Sequence, residues 1–162
     1  MDILALLGFF ATAFIVASSG AVFRPGPWYE ALRKPEWCPP NWLFAPAWSL
    51  LYILIAISGW LVWRKVGFAA AAPAFVLYGV QFALNAGWSG IFFGLRRMDI
   101  ALFELVLLWM SIAATIVAFS AHHAGAAWML APYLAWVTFA GVLNYAMVRL
   151  NPRDVRTSPR PI

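Results

Sequence analysis

Few residues in this chain could do chemistry, and most lie inside long apolar stretches. Between Pro73 and Gly94, Gln81, Asn85, Trp88 and Phe92 recur at alternating spacings of four and three. At about 100° per residue they share one stripe of a helix. Amides beside aromatic walls can floor a ligand pocket; the blander use of the same amides is to tie neighbouring helices together. Further along, Trp136, Phe139, Ala140, Leu143 and Met147 form a second stripe with Asn144 at its edge. There a small residue between bulky ones leaves room for something flat. The chemistry on offer is stacking and hydrogen bonding, with electron-rich indoles as the one redox-capable group.

Conventional catalysis finds little support. The single cysteine, Cys38, allows neither a disulfide framework nor a cysteine-based metal site within one chain, and only Lys34 stands near enough in sequence to support a thiolate. His122 and His123 are the only histidines; adjacent in a short loop, they read as solvated rather than as haem or metal ligands. Glu104 follows Asp99 by about one and a half helical turns, which places it near an interface where water reaches it, without a partner for a proton relay. No obligatory cofactor and no metal are expected.

The positioning elements follow from composition. Of 162 residues, 64% are hydrophobic and 10% charged, whereas a soluble domain is roughly half apolar and about a quarter charged. A bilayer is the solvent that fits. A membrane-crossing helix needs about 20 apolar residues, and five such runs are present, near 3–23, 46–64, 73–95, 99–119 and 126–148. The fold class is therefore all-α, an integral membrane bundle of five transmembrane helices spanning 1–150, with a polar, proline-rich and disordered tail at 151–162. Pro46 suits a first turn, Asp99 an N-cap, and Pro132 a kink or first turn. The start, MDILALLGFF, has no basic n-region, so the first run reads as a retained helix rather than a cleaved signal.

Charge orients the bundle. Nine of the eleven basic residues fall on one side: Arg24, Arg33 and Lys34 after the first span, Arg96 and Arg97 after the third, and Arg149, Arg153, Arg156 and Arg160 at the end. Arg64 and Lys65 alone face the other side. The positive-inside rule then puts the first loop and the C-terminus in the cytoplasm, for an inner or organellar type of membrane. Basic residues interrupted by apolar spans argue against nucleic acid. No internal repeat appears, and an odd helix count weakens a transporter of two equal halves. On the third span Gly79, Ala83, Ala86, Gly87, Gly90 and Gly94 oppose the polar stripe. Small residues spaced by four let backbones approach, and this length favours a homodimer seam.

With these directions Ser18, Ser19, Trp88, Phe92 and Asn144 share a depth with Trp48, Ser49 and Tyr52, beneath the loop at 24–45. That loop holds five prolines and Trp28, Tyr29, Trp37, Trp42 and Phe44. Proline fixes φ, so the loop reads as a folded lid rather than a flexible linker. A dicarboxylic ligand below it could meet Arg24, Arg33 or Lys34 at the mouth.

The segments WYEALRKPEWCPPNWLFAPAWSLLY, QFALNAGWSGIFFG and PYLAWVTFAGVLNYAMVRLN resemble the signature of the translocator protein family, which includes the bacterial tryptophan-rich sensory proteins. The resemblance covers nearly the whole chain and departs at Gly90, where relatives often carry proline, which puts the course of the third helix in question. It implies a five-helix bundle, commonly dimeric, that binds porphyrins and synthetic aromatic drugs, with cholesterol bound by animal members. By matching positions, the pocket would include Ser18, Phe44, Ala45, Trp48, Asn85, Trp88, Trp136, Phe139, Ala140, Leu143 and Asn144. Trp48 and Trp136 match tryptophans implicated in light-dependent porphyrin degradation by some bacterial relatives. The family's sterol pattern matches Leu143, Tyr145 and Arg149; such patterns are weak, and Tyr145 with Arg149 also suits plain interfacial anchoring. The function expected is a porphyrin-binding membrane receptor or sensor, with light-dependent porphyrin degradation and porphyrin or sterol transport as alternatives.

Overall fold

A computed structural model describes residues 2–23 and 26–152. Arg24 and residues 153–162, most of the expected tail, lie outside them. Seven α-helices follow in order: α1 (Asp2–Val22), α2 (Pro27–Ala31), α3 (Asn41–Ala70), α4 (Ala72–Ser89), α5 (Met98–Ser120), α6 (Ala124–Met129) and α7 (Ala131–Leu150). Four segments are long and apolar enough to cross a membrane: α1, α3, α5 and the joined Ala124–Leu150. The polar residues of α4, Gln81 and Asn85 among them, make it less apolar than these four. It is nonetheless packed between α1 and α5 as a full member of the bundle. Outward-facing Ile3, Phe14, Val76, Phe103 and Val117 give the bundle an apolar exterior, which water would not tolerate on this scale.

Several boundaries have local causes. Pro27, Pro73 and Pro132 occupy first turns, where the missing N–H is not needed. The last of these explains the break between α6 and α7. α3 begins earlier than its apolar run, at Asn41, so that 41–45 is helix rather than lid. It carries Pro46 and is interrupted near its end by Gly67 at φ 75°, a conformation glycine adopts without steric cost. α4 continues into one π-helical turn, Gly90–Gly94, closed by Leu95 N–H donating to the Gly90 carbonyl at 2.8 Å. The departure at Gly90 thus coincides with a local widening of the helix.

Three expectations are corrected here. Asp99 does not cap α5: it sits in the first turn and pairs bidentately with Arg97, at 2.9 and 2.7 Å. His123 is not merely solvated, because its Nδ1 accepts the Ala126 N–H at 3.1 Å and caps α6. Glu104 is not hydrated; it is 7% exposed, and neither carboxyl oxygen has a hydrogen-bond partner among the described residues.

Packing divides into two clusters. The larger holds Ile55, Val62, Tyr78, Phe82, Ile112, Phe119 and Tyr133 in the middle and at the end remote from the lid. The smaller, at the lid end, joins Tyr29 and Leu32 to Phe92, Met98, Leu143 and Met147. Trp88 packs against both. The glycine-rich face of α4 is only partly free. Gly79, Ala83 and Gly87 face outward, Ala86 packs on the core, and the Phe23 ring lies over Gly90 and Gly94, 3.5 and 3.1 Å from where a Cβ would stand. The outward-facing stripe is therefore shorter than the six residues expected, because Phe23, just past α1, covers two of them.

Gly59 shows how close the packing is on the α1–α3–α4 side. A Cβ there would stand 2.6 Å from the Tyr78 hydroxyl oxygen and 2.8 Å from the Phe9 ring, while that hydroxyl donates to the Ile55 carbonyl at 2.8 Å. Gly→Ala in a helix ordinarily stabilises by roughly 0.5–1 kcal/mol. Here Gly59→Ala should instead cost about 1–3 kcal/mol through overpacking, read as a lower Tm in detergent. A raised Tm would show that the two rings yield freely.

Candidate functional site

Beneath the lid the helices diverge around a cavity of about 690 Å³. Its walls come from α1, α3, α4, α5 and α7, with Tyr29 of α2 above. Trp48 of α3, Trp88 of α4 and Trp136 of α7 all line it, so three separate spans each contribute an indole. Small residues keep the space open: Ala13, Ala17 and Gly20 on α1, Ala45 on α3 and Ala140 on α7. The aromatic wall is internally braced. Trp88 stacks on Phe92 with centroids 4.9 Å apart, Trp48 lies against Tyr52 at 5.4 Å, and Phe44 meets the edge of Trp136 at 5.8 Å.

The polar groups are mostly spoken for. Asn85 accepts from the Tyr52 hydroxyl at 2.6 Å and donates to the Tyr133 hydroxyl at 2.8 Å, tying α4 to α3 and α7. Asn144, in the amide orientation that satisfies both partners, donates to the Met98 carbonyl at 3.2 Å and accepts from the Leu102 N–H at 3.1 Å. Both asparagines line the cavity and act first as ties between helices. Gln81 lies one turn deeper on α4, 1% exposed and outside the cavity lining, and among the described residues neither of its amide atoms has a hydrogen-bond partner. The Trp88 Nε1–H likewise lacks an acceptor among the described residues.

Of the positions expected at the pocket, Phe44, Ala45, Trp48, Asn85, Trp88, Phe92, Trp136, Ala140, Leu143 and Asn144 line the cavity. Ser18 does not: its hydroxyl donates to the Phe14 carbonyl at 2.8 Å, and its neighbour Ala17 faces the space instead. Phe139 stands behind Trp136, wedged between it and Trp37 at 5.6 and 6.0 Å. The lid tryptophans are not pocket walls either. Trp28 packs edge-on over Phe92, Trp37 covers Phe139, and Trp42 is 71% exposed. Arg33 is exposed, and the Lys34 ammonium sits 4.4 Å above the Tyr29 ring; neither lines the cavity, and Arg24 lies outside the described residues. Leu143 points inward while Tyr145 and Arg149 are exposed, so the sterol pattern does not converge on one surface.

Sequence reasoning missed the α1 wall and the lid's fastening. The signal for α1 was available in the small residues Ala13, Ala17 and Gly20, spaced by four and three. On that side the cavity reaches the bundle exterior, because Phe14, Gly20, Ser49 and Ile53 both line it and are exposed on α1 and α3. The roof, by contrast, is tied down. Asn151, expected in the disordered tail, is 6% exposed. Its side chain accepts from the Arg33 N–H and donates to the Arg33 carbonyl, both at 2.9 Å, and also donates to the Met147 carbonyl at 2.8 Å. Tyr29 is buried below this clasp. Burial, and then the neighbouring Cys38, push its phenol up to about 12, so it stays neutral under ordinary conditions.

A helical membrane bundle enclosing an indole-walled cavity under a tethered, tryptophan-rich loop is the class of protein that fold and site define. The chain belongs to the TspO/MBR family, whose model matches residues 3–150. It is 45% identical over 150 residues to the protein CrtK of Rhodobacter capsulatus, covering 90% of this chain and 92% of that one. It is 38% identical over 151 residues to a tryptophan-rich sensory protein of Cereibacter sphaeroides, with 93% and 94% covered. To the translocator protein of Bos taurus it is 42% identical over 135 residues, with 82% and 79% covered.

Replacing Asn151 by Ala removes a buried clasp and leaves the Arg33 backbone groups without their partner. Such a loss costs about 1–3 kcal/mol, and it should appear as faster amide exchange across 27–40 with little change in α5. Unchanged exchange in the lid would mean that the packing of Tyr29 and Leu32 suffices to hold it.

Proposed function

We propose that this protein is a membrane receptor or sensor for flat, largely apolar ligands of the porphyrin class, bound in the cavity under the lid. The carrying observation is the convergence of Trp48, Trp88 and Trp136 from three helices on one space. Its volume, about 690 Å³, falls within the range of roughly 300–1,000 Å³ common for small-molecule sites. Indole faces stack on an extended π-system. With Asn85 and Asn144 each holding protein partners, the walls offer mostly apolar and π contact, which suits a macrocycle better than a polar metabolite. The opening between α1 and α3 suits a ligand already dissolved in the bilayer. The sensory and translocator names of the relatives fit a receptor or a transporter; the tethered lid and the lack, among the described residues, of a charged path along the bundle favour the receptor.

Ala140 is the sharpest probe, since a ring placed there would occupy the space beside Trp136. Titrating the purified protein with a porphyrin in the dark should quench tryptophan fluorescence. Ala140→Phe should weaken that binding at least tenfold, about 1.4 kcal/mol, while Tm changes little. Equal affinity for both proteins would remove the cavity from the account.

A second reading concerns light. Trp48 and Trp136 share the cavity, so a photoexcited macrocycle would lie in contact with oxidisable indoles. Under illumination, Trp48→Phe should slow the bleaching of bound porphyrin about tenfold or more, while dark affinity stays within about twofold, or about 0.4 kcal/mol. Bleaching at the wild-type rate would leave binding alone as the function.

A further inference from the structure

At the end of the bundle remote from the lid, α3 closes its apolar run with Trp60, Leu61 and Trp63, then turns basic at Arg64 and Lys65. The exposed Trp128 of α6 joins these indoles in the kind of aromatic belt that marks headgroup depth. A shallow pocket of about 270 Å³ lies there, lined by Leu61, Arg64, Lys65 and His123.

Its polar groups are all donors. The Arg64 guanidinium is held 5.0 Å over the Trp60 ring, and the Lys65 ammonium spends one proton on the His122 carbonyl at 2.6 Å and keeps two. His123 uses Nδ1 to accept from the Ala126 N–H, which leaves Nε2 as the ring's donor, and among the described residues no hydrogen bond engages it. Among the described residues the sole ion pair, Arg97–Asp99, is at the opposite end, so neither Arg64 nor Lys65 is neutralised by a carboxylate. Topology sharpens the point. Among the described residues these are the only Lys or Arg side chains at this end of the bundle, and both border one pocket.

We infer that this pocket binds the phosphate group of an anionic phospholipid, with Arg64, Lys65 and His123 as donors and Leu61 under the start of the glycerol and acyl portion. Arginine and lysine are the usual phosphate partners, and the headgroup lies at the depth the indoles mark. The site is separate from the lid-end cavity and does not depend on what that cavity binds.

The test uses the full chain purified with a mixture of phosphatidylglycerol and phosphatidylcholine, then examined by native mass spectrometry. One phosphatidylglycerol per chain should be retained, at least tenfold over phosphatidylcholine, and high salt should weaken it. Arg64→Gln with Lys65→Gln should abolish the preference, and the single Arg64→Gln, at an exposed side chain, should reduce it severalfold. An unchanged far-UV circular dichroism spectrum and Tm in detergent report that each variant is folded. Exchanging the two cations, Arg64→Lys with Lys65→Arg, should keep the lipid. Equal retention by wild type and the double variant overturns the site, and so does retention that ignores headgroup charge. Full displacement of the lipid by millimolar inorganic phosphate would assign the pocket to free phosphate and overturn the lipid assignment.

Discussion

The site rests on one polar knot in an apolar interior. Asn85 on α4 is held between the Tyr52 hydroxyl of α3 and the Tyr133 hydroxyl of α7. In a bilayer, helix association gains no hydrophobic drive, since lipid is as apolar as leucine; packing and interhelical hydrogen bonds take over. An amide left unpaired there costs several kcal/mol by transfer estimates. The three helices must therefore keep the register in which these groups meet, and in that register Trp48, Trp88 and Trp136 face one space. The cavity is a consequence of satisfying the amide, with the indoles carried to it by the helices it ties.

Keeping that space empty of side chains needs a second device. Apolar helices left to pack would close on each other. Ala13, Ala17 and Gly20 on α1 and Ala140 on α7 present nothing to fill the gap, while the rings around it are braced edge-to-face or stacked against one another. Asn144 adds stiffness by fastening α7 to the first turns of α5. Asn151 then fixes the roof by treating the Arg33 peptide as a neighbouring strand would, accepting from its N–H and donating to its carbonyl. The bottom, walls and roof are thus each held by a buried asparagine, and each acts on backbone or hydroxyl groups that no other side chain serves.

Much of this was legible in the residues. Period-3.6 spacing on the third and fifth spans located Asn85, Trp88, Phe92, Trp136, Ala140 and Leu143 because a helix in lipid has few ways to hide an amide. The long apolar runs fall on helices, but α3 starts five residues before and ends six after its run, and the last run is divided between α6 and α7. What stayed hidden depended on tertiary partners. Ser18 looked like a polar pocket residue, yet a serine inside a helix can satisfy itself on the preceding turn, as it does on the Phe14 carbonyl. The tryptophans of the loop read as lid residues, but a folded loop has two surfaces, and which ring each indole packs on was not legible: Trp28 covers Phe92 and Trp37 covers Phe139. Asn151 read as tail because its partner is 118 residues away. α4 is less apolar than the other long segments because Asn85, which lines the site, and Gln81 lie on it.

The two routes to the cavity are unequal, and the inequality bears on what can reach it. Passage through the roof would break the two hydrogen bonds between Asn151 and the Arg33 backbone and expose Tyr29 and Leu32, both buried. On the flank, Phe14, Gly20, Ser49 and Ile53 already belong to the cavity wall and to the bundle exterior. Rotating a phenylalanine in lipid sacrifices no hydrogen bond, whereas unlatching the lid sacrifices two. A ligand concentrated in the membrane therefore meets the lower barrier, and one dissolved in water meets the higher. The selectivity proposed for the indole walls is matched by this difference between the routes, which follows from the same rule that shapes the site: inside a bilayer, polar groups decide what stays fixed, and apolar surfaces are free to move.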